Sequence, residues 1–242
     1  TQYLPLSQLR EIHSDERQLS NISLPDRFVT LKGLGANHAD VYGLVGYLLK
    51  EMGNQIELIE GASVESFTRS RPYVLGLSTG QCVEAERLVL APGPWAAGRP
   101  WQSVLSDLGV RVKKVVAAHV RIPVKPEDGM IVFQEDDAFL LPLCQRGYWL
   151  FSYTCDEWDV DPGATGPSLS FKDISDARGV LAKYSPGSAD RLDGGRVFCD
   201  AYSPDRAPIA VELSRHLIFA GAANGSGYRL APAIAGQVLS LL

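Results

Sequence analysis

Apolar residues recur at intervals of three and four in one stretch of the first third of the chain. The stripe consists of Val41, Leu44, Val45, Leu48, Leu49 and Met52. This spacing predicts an amphipathic helix over Asp40–Met52. Asp40 suits its N-terminus because a carboxylate there accepts free backbone N–H groups, and Gly53 suits the left-handed position after its last turn.

Other patterns predict strands and two further helices. Short apolar or alternating runs predict strands at Gln55–Glu60, Ser63–Arg69, Tyr73–Ser78, Cys82–Ala91 and His216–Ala220. Leu88–Ala91 is apolar without alternation, which predicts a central strand covered on both faces. Longer antiparallel strands are predicted at Val112–Ile122, Met130–Gln134, Ala138–Leu143 and Tyr148–Thr154, and helices at Ile174–Tyr184 and Leu230–Leu242.

The order of these elements predicts a mixed fold of the α/β class. Helix, buried strand and Gly/Pro-rich turn follow one another near both ends of the chain, which is typical of α/β domains. The antiparallel strands between them indicate a different module. We therefore expect a Rossmann-like part interleaved with an antiparallel-sheet domain, an α+β mixture.

Composition narrows the classes of partner. The 242 residues are 45% hydrophobic and 21% charged, which excludes wholesale disorder. The formal net charge of −5 argues against a nucleic-acid surface, and the absence of any long apolar run argues against a membrane span. Four widely spaced cysteines without a CxxC motif indicate reduced thiols and a cytoplasmic location, and the four histidines lack the spacing of metal ligands.

Two glycine-containing turns are candidate ligand sites. Gly221, Gly225 and Gly227 lie between the last predicted strand and the last helix, where backbone can approach a flat or anionic ligand closely. Gly93–Pro94–Trp95 follows a buried strand, at the position where α/β folds bind ligands. Either turn is also compatible with a purely structural role, the first in helix packing and the second as a strand end with a packed Trp95.

A third glycine-rich segment imitates a dinucleotide-binding motif. Gly33-Leu34-Gly35-Ala36-Asn37-His38 precedes the helix that begins near Asp40, but His38 replaces the third glycine of GxGxxG. A small residue is needed there for close helix–strand packing. We therefore do not expect this segment to bind a dinucleotide, and the sequence contains no better match.

Taken in order, these segments resemble the FAD-dependent D-amino acid oxidase superfamily, particularly its glycine oxidase and sarcosine oxidase branches. The resemblance starts with the helix Asp40–Met52 and the stretch Gln55–Glu60. It continues through GASVESF around Val64, RLVLAPGPW at Arg87–Trp95, AFLLPLCQRGYWLFSY at Ala138–Tyr153, SPDRAPI at Ser203–Ile209 and HLIFAGAANGSGYRLAPA at His216–Ala233.

The resemblance implies an organisation and a cofactor. It assigns residues 1–36 to the start of a substrate domain, 37–100 to a FAD-binding part, 101–202 to the antiparallel substrate domain and 203–242 to the C-terminal FAD-binding part. It implies non-covalent FAD, because Phe198 stands where some members carry the attaching cysteine and Cys199 is displaced by one position. The implied cofactor contacts are Val64, Ala91, Gly93, Trp95, Gly221, Gly225, Ser226, Gly227, Tyr228 and Leu230.

The resemblance also implies a reaction, the oxidation of a C–N bond in an amine or amino acid. A hydride passes to the flavin, the imine is hydrolysed, and dioxygen is reduced to peroxide. Arg229 falls where sarcosine oxidases carry a substrate-binding lysine, so Arg229 and its neighbour Tyr228 are the candidate catalytic residues. The aromatic residues of the antiparallel strands pack in the core or line a substrate pocket: Phe139, Tyr148, Trp149, Phe151 and Tyr153.

Two departures from the family pattern leave alternatives open. The family's N-terminal strand–GxGxxG–helix has no counterpart in this sequence, so we expect a companion chain that carries it, a segment cleaved or left out, or a protein that has lost flavin binding. Asp200 stands where glycine oxidases carry a carboxylate-binding arginine, and it either meets a cationic amine or caps a turn. A non-catalytic scaffold and a dehydrogenase with another electron acceptor are the alternative functions.

Overall fold

The computed structural model describes residues 40–164 and 168–242 fully, and residues 10–11, 18–19, 22–23 and 31–32 by their backbone. The strands are β1 (Arg10–Glu11), β2 (Gln18–Leu19), β3 (Ile22–Ser23), β4 (Leu31–Lys32), β5 (Val64–Phe67), β6 (Tyr73–Leu77), β7 (Cys82–Ala85), β8 (Leu88–Leu90), β9 (Arg111–Val120), β10 (Ile131–Phe133), β11 (Ala138–Leu143), β12 (Tyr148–Trp158), β13 (Leu192–Tyr202), β14 (Ile209–Ser214) and β15 (Leu217–Gly221). The helices are α1 (Val41–Met52), α2 (Gln102–Leu105), α3 (Phe171–Tyr184), α4 (Pro186–Ala189) and α5 (Gly227–Leu241).

The chain divides into two compact units. The central unit contains Lys114–Cys199 together with the short strands that precede Ala39, and the flanking unit contains Ala39–Lys113 and Asp200–Leu242. Helices combine with parallel and antiparallel strand pairs, so the expected mixed α/β fold is confirmed. The division into cofactor and substrate domains stays a prediction.

The central unit is built on a five-stranded sheet in the order β10-β11-β12-β9-β13. Trp149, Phe151 and Tyr153 alternate on β12 and belong to the same core cluster as Leu181 and Tyr184 of helix α3. Alternation places every second strand residue on one face of a sheet, so these three aromatics pack in the core. Phe139 and Tyr148 lie outside this set, and only Tyr148 of the two is buried.

Helix α3 is fixed at its start by a reciprocal cap. The Ser170 hydroxyl accepts from the Asp173 backbone N–H at 3.1 Å, and the Asp173 carboxylate accepts from the Ser170 backbone N–H at 2.8 Å. Lys114 Nζ lies 2.6 Å from Asp173 Oδ1, with both side chains almost fully buried. The cap therefore joins α3 to strand β9 through a buried ion pair.

The flanking unit contains two small sheets. In the first, β14-β15-β8, β15 runs parallel to β8 and antiparallel to β14; the second is the antiparallel meander β5-β6-β7. Its core includes Leu90, Leu217 and Phe219. Tyr73 is 1% exposed, and its hydroxyl donates to the Arg215 carbonyl at 2.8 Å, which ties the meander to the end of β14.

Helix α1 confirms the predicted helix and its cap, but its apolar stripe is exposed. The Asp40 carboxylate accepts from the Gly43 backbone N–H at 3.0 Å, and the helix ends at Gly53. No residue of α1 is buried, and the exposed side chains include Val41, Leu44, Val45, Leu48 and Met52. Within the described residues the stripe therefore lacks the packing partner that such a pattern normally has.

Two strand predictions are wrong in an informative way. Gln55–Glu60 forms no strand, since no described segment pairs with it; its Leu58 is 56% exposed. Leu88–Ala91 was expected in the centre of a sheet, but β8 is an edge strand among the described residues and its Val89 is 39% exposed. Both segments have the composition of buried strands and lack a neighbour on one side.

Other boundaries also differ. The predicted strand Cys82–Ala91 is two strands in different sheets, β7 and β8. Helix α5 begins at Gly227, three residues before the prediction. Strands β13 and β14 were not predicted, and β13 carries Gly194 and Gly195, which interrupt its pattern. A side chain at Gly195 would collide with the Ala117 carbonyl of β9, so glycine is required for this close approach.

Three other expectations concern composition. None of the helices in the described part of the chain is both long and apolar enough to cross a membrane. Cys82, Cys144, Cys155 and Cys199 are all free thiols. The GxGxxG-like segment at residues 33–38 lies outside the described residues.

Candidate functional site

Two loops of the flanking unit leave the same edge of one sheet. Leu88, Val89 and Leu90 of β8 pair in parallel with Leu217, Ile218 and Phe219 of β15. The carboxyl ends of parallel neighbours meet at one edge, so the turn that contains Trp95 and the loop that begins after Gly221 start side by side. This edge is where α/β sheets bind ligands, and it brings together most of the predicted site residues.

The first loop presents Trp95. Gly93 has a φ of 58°, which a residue with a side chain rarely adopts, and it begins a tight 3₁₀ turn over Gly93–Ala97. The Trp95 backbone N–H donates to the Pro92 carbonyl at 3.2 Å. Ala96 is 1% exposed and anchors the turn in the core, whereas the neighbouring Trp95 is 55% exposed. The turn therefore holds a large aromatic side chain in solvent beside the second loop's strand.

The second loop has an unusual backbone. Ala222, Asn224 and Gly225 have φ values of 51°, 54° and 74°. A left-handed conformation is disfavoured for alanine, and Ala222 is also buried in the core. Such conformations persist only where surrounding contacts fix them, and they concentrate at ligand sites.

Asn224 supplies those contacts. Its Oδ1 accepts from the Ser203 backbone N–H at 3.0 Å, and its Nδ2 donates to the Ala222 carbonyl at 3.0 Å. Its own backbone N–H donates to the Ala201 carbonyl at 3.2 Å. The loop is therefore fixed to the end of β13 at both the side chain and the backbone.

The SPDRAPI segment completes this anchor. The Ser203 hydroxyl donates to the Ala207 carbonyl at 2.6 Å, and Asp205 Oδ1 accepts from the Ala207 backbone N–H at 3.0 Å. The backbone bond from Ala207 and the hydroxyl bond from Ser203 lower the pKa of Asp205. The segment therefore acts as a hydrogen-bonded turn that positions Ser203 against Asn224.

The start of helix α5 is open to an anion. No side chain caps its first turn, because the Ser226 hydroxyl instead accepts from the Arg229 guanidinium at 2.6 Å. Pro232 has no N–H, so the Tyr228 carbonyl also lacks its usual intrahelical donor. Free N–H groups and the positive end of the helix dipole attract negative charge, and Arg229 adds a full positive charge there.

Asp200 lies against this loop without a partner. A side chain on Gly225 would place its Cβ 3.4 Å from Asp200 Oδ2, so the carboxylate packs directly against the glycine. Burial raises the pKa of the Asp200 carboxyl above its ordinary range. No described residue forms a hydrogen bond or ion pair with this side chain, so its desolvation is uncompensated. An unpartnered, partly buried carboxylate is suited to accept a hydrogen bond from a ligand.

The structure brings together most of the predicted site residues, but not all. Ala91, Gly93 and Trp95 belong to the first loop; Gly221, Gly225, Ser226, Gly227, Tyr228, Arg229 and Leu230 belong to the second loop and the start of α5. Val64 begins β5 in the other sheet of the flanking unit, so its predicted role rests on the resemblance alone.

Sequence reasoning missed Asn224 and Ser203. Both act in the site through hydrogen bonds between segments 21 residues apart. One local signal was present, because asparagine before glycine favours left-handed turns. The partner of that turn could not be read from the sequence.

Comparison with known proteins identifies the family. A family model described as DAO, FAD dependent oxidoreductase, matches residues 25–241. A search of curated protein sequences finds no match. Among solved structures, the chain is similar to glycine oxidase from Geobacillus kaustophilus, with 19% identity and a TM-score of 0.53 over 76% of this chain and 49% of that one.

Two further solved structures share the fold. Fructosyl amine:oxygen oxidoreductase (Amadoriase I) from Aspergillus fumigatus is 19% identical, with a TM-score of 0.55 over 74% of this chain and 45% of that one. L-proline dehydrogenase from P. horikoshii is 18% identical, with a TM-score of 0.54 over 76% and 50%. The chain therefore spans about half the length of the solved structures it matches.

Proposed function

The chain belongs to the family of FAD-dependent oxidoreductases, whose cofactor is non-covalent FAD, and we propose that it provides the flavin-binding half of an amine or amino acid oxidase. The single observation that carries the proposal is the pairing of β8 with β15, which starts the Trp95 turn and the glycine loop side by side. When bound, FAD supplies the acceptor for the two electrons removed from a C–N bond.

The described residues fit the ring end of the cofactor. The uncapped start of α5 offers backbone N–H groups to an electron-rich ring edge, and Gly225 and Gly227 allow close backbone approach. Trp95 offers an exposed aromatic face beside them. In this proposal Ala91, Gly93, Gly221, Ser226, Tyr228 and Leu230 line the remainder of the cofactor contact, with Val64 contacting its adenine side.

Two charged side chains would recognise the substrate. Arg229 is exposed and is oriented by its bond to Ser226, so its other N–H groups can bind a substrate carboxylate. Asp200 Oδ2 can accept a hydrogen bond from the substrate amine. Together they favour a small amino acid or amine over a substrate that carries two carboxylates.

The same proposal requires a companion segment. The phosphates of FAD need a strand–GxGxxG–helix, and we propose that this element is supplied by a companion polypeptide. Three unpartnered features of the flanking unit support it: the apolar stripe of α1, the exposed Leu58 and Ile59 in an unpaired extended stretch, and the free edge of β8 with its exposed Val89. A parallel strand beside β8 and a helix over α1 would bury all three.

The test is co-expression of the chain with a companion segment that contains strand–GxGxxG–helix. We expect a yellow complex that keeps FAD through gel filtration and forms peroxide when it is given small amines or amino acids. Arg229→Gln should weaken carboxylate-bearing substrates by about tenfold in KM, whereas Arg215→Gln, an exposed change in the same unit, should not.

Three other results would redirect the proposal. A yellow complex that reduces an artificial acceptor without forming peroxide would identify a dehydrogenase. A complex that binds FAD but oxidises no amine would favour a non-catalytic scaffold. A colourless complex in the presence of excess FAD would contradict the proposal.

A further inference from the structure

A cluster of positive charge lies at one end of the sheet in the central unit. His119 is on β9 and Tyr148 begins β12, and their ring centroids are 4.3 Å apart. Arg121 follows directly after β9, and its guanidinium carbon lies 5.1 Å from the centre of the Tyr148 ring. Arg146 lies in the turn before β12, and Arg196 lies on the adjacent strand β13. We call these residues, without Tyr148, the arginine cluster.

Aromatic rings, rather than carboxylates, position the two arginines that matter most. Arg121 stacks over Tyr148, and Arg196 lies with its guanidinium carbon 5.9 Å from the centre of the Phe198 ring. Stacking occupies the face of a guanidinium and leaves its N–H edge open to an acceptor. Arg121 has one carboxylate nearby, Asp193 at 3.8 Å, which is too far for a good hydrogen bond, and both side chains are more than half exposed.

The local field of the cluster is positive although the chain is acidic. Burial lowers the pKa of His119, and Arg121, Arg146 and Arg196 lower it further; Asp193 opposes them. Three arginines therefore act on this imidazole against one acid, in a chain with a net charge of −5. This concentration of positive charge around one buried tyrosine ring has no counterion among the described residues apart from Asp193.

We propose that the arginine cluster binds a small oxyanion with at least two negative charges, through the open edges of Arg121 and Arg196. Guanidinium edges match the paired oxygens of carboxylates, sulfates and phosphates, and two of them at one sheet end favour a dianion over a monoanion. His119 lies beside the bound anion and reports on it, because a negative charge nearby stabilises the protonated imidazole. The site is independent of the proposed flavin chemistry.

The experiment titrates the histidine ring protons of the whole chain by NMR. His119→Gln identifies the His119 resonance, and His13, His38 and His216 serve as internal references. Titrations are run in sodium chloride, sodium sulfate and sodium succinate at equal ionic strength. Sulfate keeps its two charges across the titration, and succinate supplies the dicarboxylate case.

We expect sulfate or succinate to raise the pKa of His119 in a saturable manner, with no such change in chloride. The better of the two anions assigns the ligand to the sulfate and phosphate class or to the dicarboxylate class. Arg196→Gln, an exposed change that removes no hydrogen bond among the described residues, should weaken half-saturation by about tenfold. Arg121→Gln combined with Arg196→Gln should abolish the response, and Arg87→Gln, far along the chain in the flanking unit, should leave it unchanged.

Two results would overturn the proposal. The first is an identical His119 titration in all three salts, which would reduce the cluster to ordinary screening. The second is a saturable response that survives in the Arg196→Gln variant and in the double variant. Because neither measurement involves FAD or oxidase activity, failure here is distinguishable from failure of the proposed function.

Discussion

Helix α3 of the central unit and helix α1 of the flanking unit have similar lengths and opposite environments. Helix α3 has few apolar residues but buries Asp173, Ala177, Leu181 and Tyr184. Helix α1 is much more apolar and buries none of its residues. A strongly apolar stripe that stays exposed indicates missing partners rather than a surface helix.

The difference extends to the strands. In the central unit, β9 and β12 are buried along most of their length between neighbouring strands. In the flanking unit, β8 has an apolar sequence and only one neighbour among the described strands. The central unit therefore satisfies its own hydrophobic pattern, whereas the flanking unit satisfies half of it, as expected of half a cofactor site.

The largest expected effect is in the central unit. Asp173→Ala removes the partner of buried Lys114 and the cap of α3, and should destabilise the chain by about 3–5 kcal/mol in urea unfolding. Lys172→Ala breaks only an exposed pair with Asp176 and should cost less than about 0.5 kcal/mol. Equal effects of the two variants would mean that the Lys114–Asp173 pair does not stabilise the unit.

The same pair predicts a dependence on pH. Burial alone would raise the pKa of Asp173, but hydrogen bonds from Lys114 and Ser170 are stronger and lower it. A lowered carboxyl pKa means that the pair stabilises the fold above the ordinary carboxyl range and that this contribution is lost as the pH falls through the folded-state pKa. The stability difference between the parent chain and Asp173→Ala should therefore shrink in acid.

A matched pair of leucines tests the comparison directly. Leu181→Ala in α3 removes a fully buried side chain and should cost about 2–5 kcal/mol. Leu48→Ala in α1 removes a half-exposed one and should cost less than about 0.5 kcal/mol in the chain alone. In the complex with a companion segment, Leu48→Ala should become markedly destabilising; a cost that stays small there would argue that α1 is an ordinary surface helix.

Asn224 has the next largest expected effect, in the flanking unit. Asn224→Ala leaves the Ser203 N–H unpaired and puts alanine in a left-handed conformation, so we expect a loss of about 2–3 kcal/mol. Asn224→Gly removes the same hydrogen bonds but tolerates the backbone, and should cost about 1 kcal/mol less. Thermal unfolding of both variants separates the two contributions; if they unfold alike, the left-handed backbone stores no strain.

Asp200 should give the opposite sign. Its raised pKa means that the charged carboxylate destabilises the fold at neutral pH and that this cost disappears as the pH falls through the folded-state pKa. Asp200→Asn should therefore stabilise the chain by about 1 kcal/mol at pH 7, with the gain vanishing in acid. Calorimetry at several pH values checks this, and a destabilised Asp200→Asn variant would show that the carboxylate has a partner.

The sequence predicted elements best where their pattern depends on local spacing. Helix α1 and its Asp40 cap were predicted because periodicity and capping act within a few residues. Gln55–Glu60 was predicted as a strand and is none, because a strand needs a partner that spacing does not reveal. Strand β13 was missed because Gly194 and Gly195 interrupt its alternation for a reason that lies in β9.

The candidate site was predictable in its loops and unpredictable in its anchors. The glycines after β15 and the turn at Trp95 stand out in the sequence, and the parallel pairing of β8 with β15 brings them to one edge. The contact of Asn224 with Ser203, the uncapped α5 with Arg229 on Ser226, and the packing of Asp200 on Gly225 depend on tertiary structure. Their roles toward a ligand stay predictions.

The most direct test of the account is whether FAD binds beside Trp95 when a companion segment is present. The measurement is a titration of the complex with FAD, following flavin absorbance and the tryptophan emission that is lost in a Trp95→Phe variant. We predict retained flavin absorbance together with quenching of the Trp95 contribution. Flavin that binds without affecting Trp95 emission, or a complex that stays colourless, would contradict the claim that these two loops receive the ring end of the cofactor.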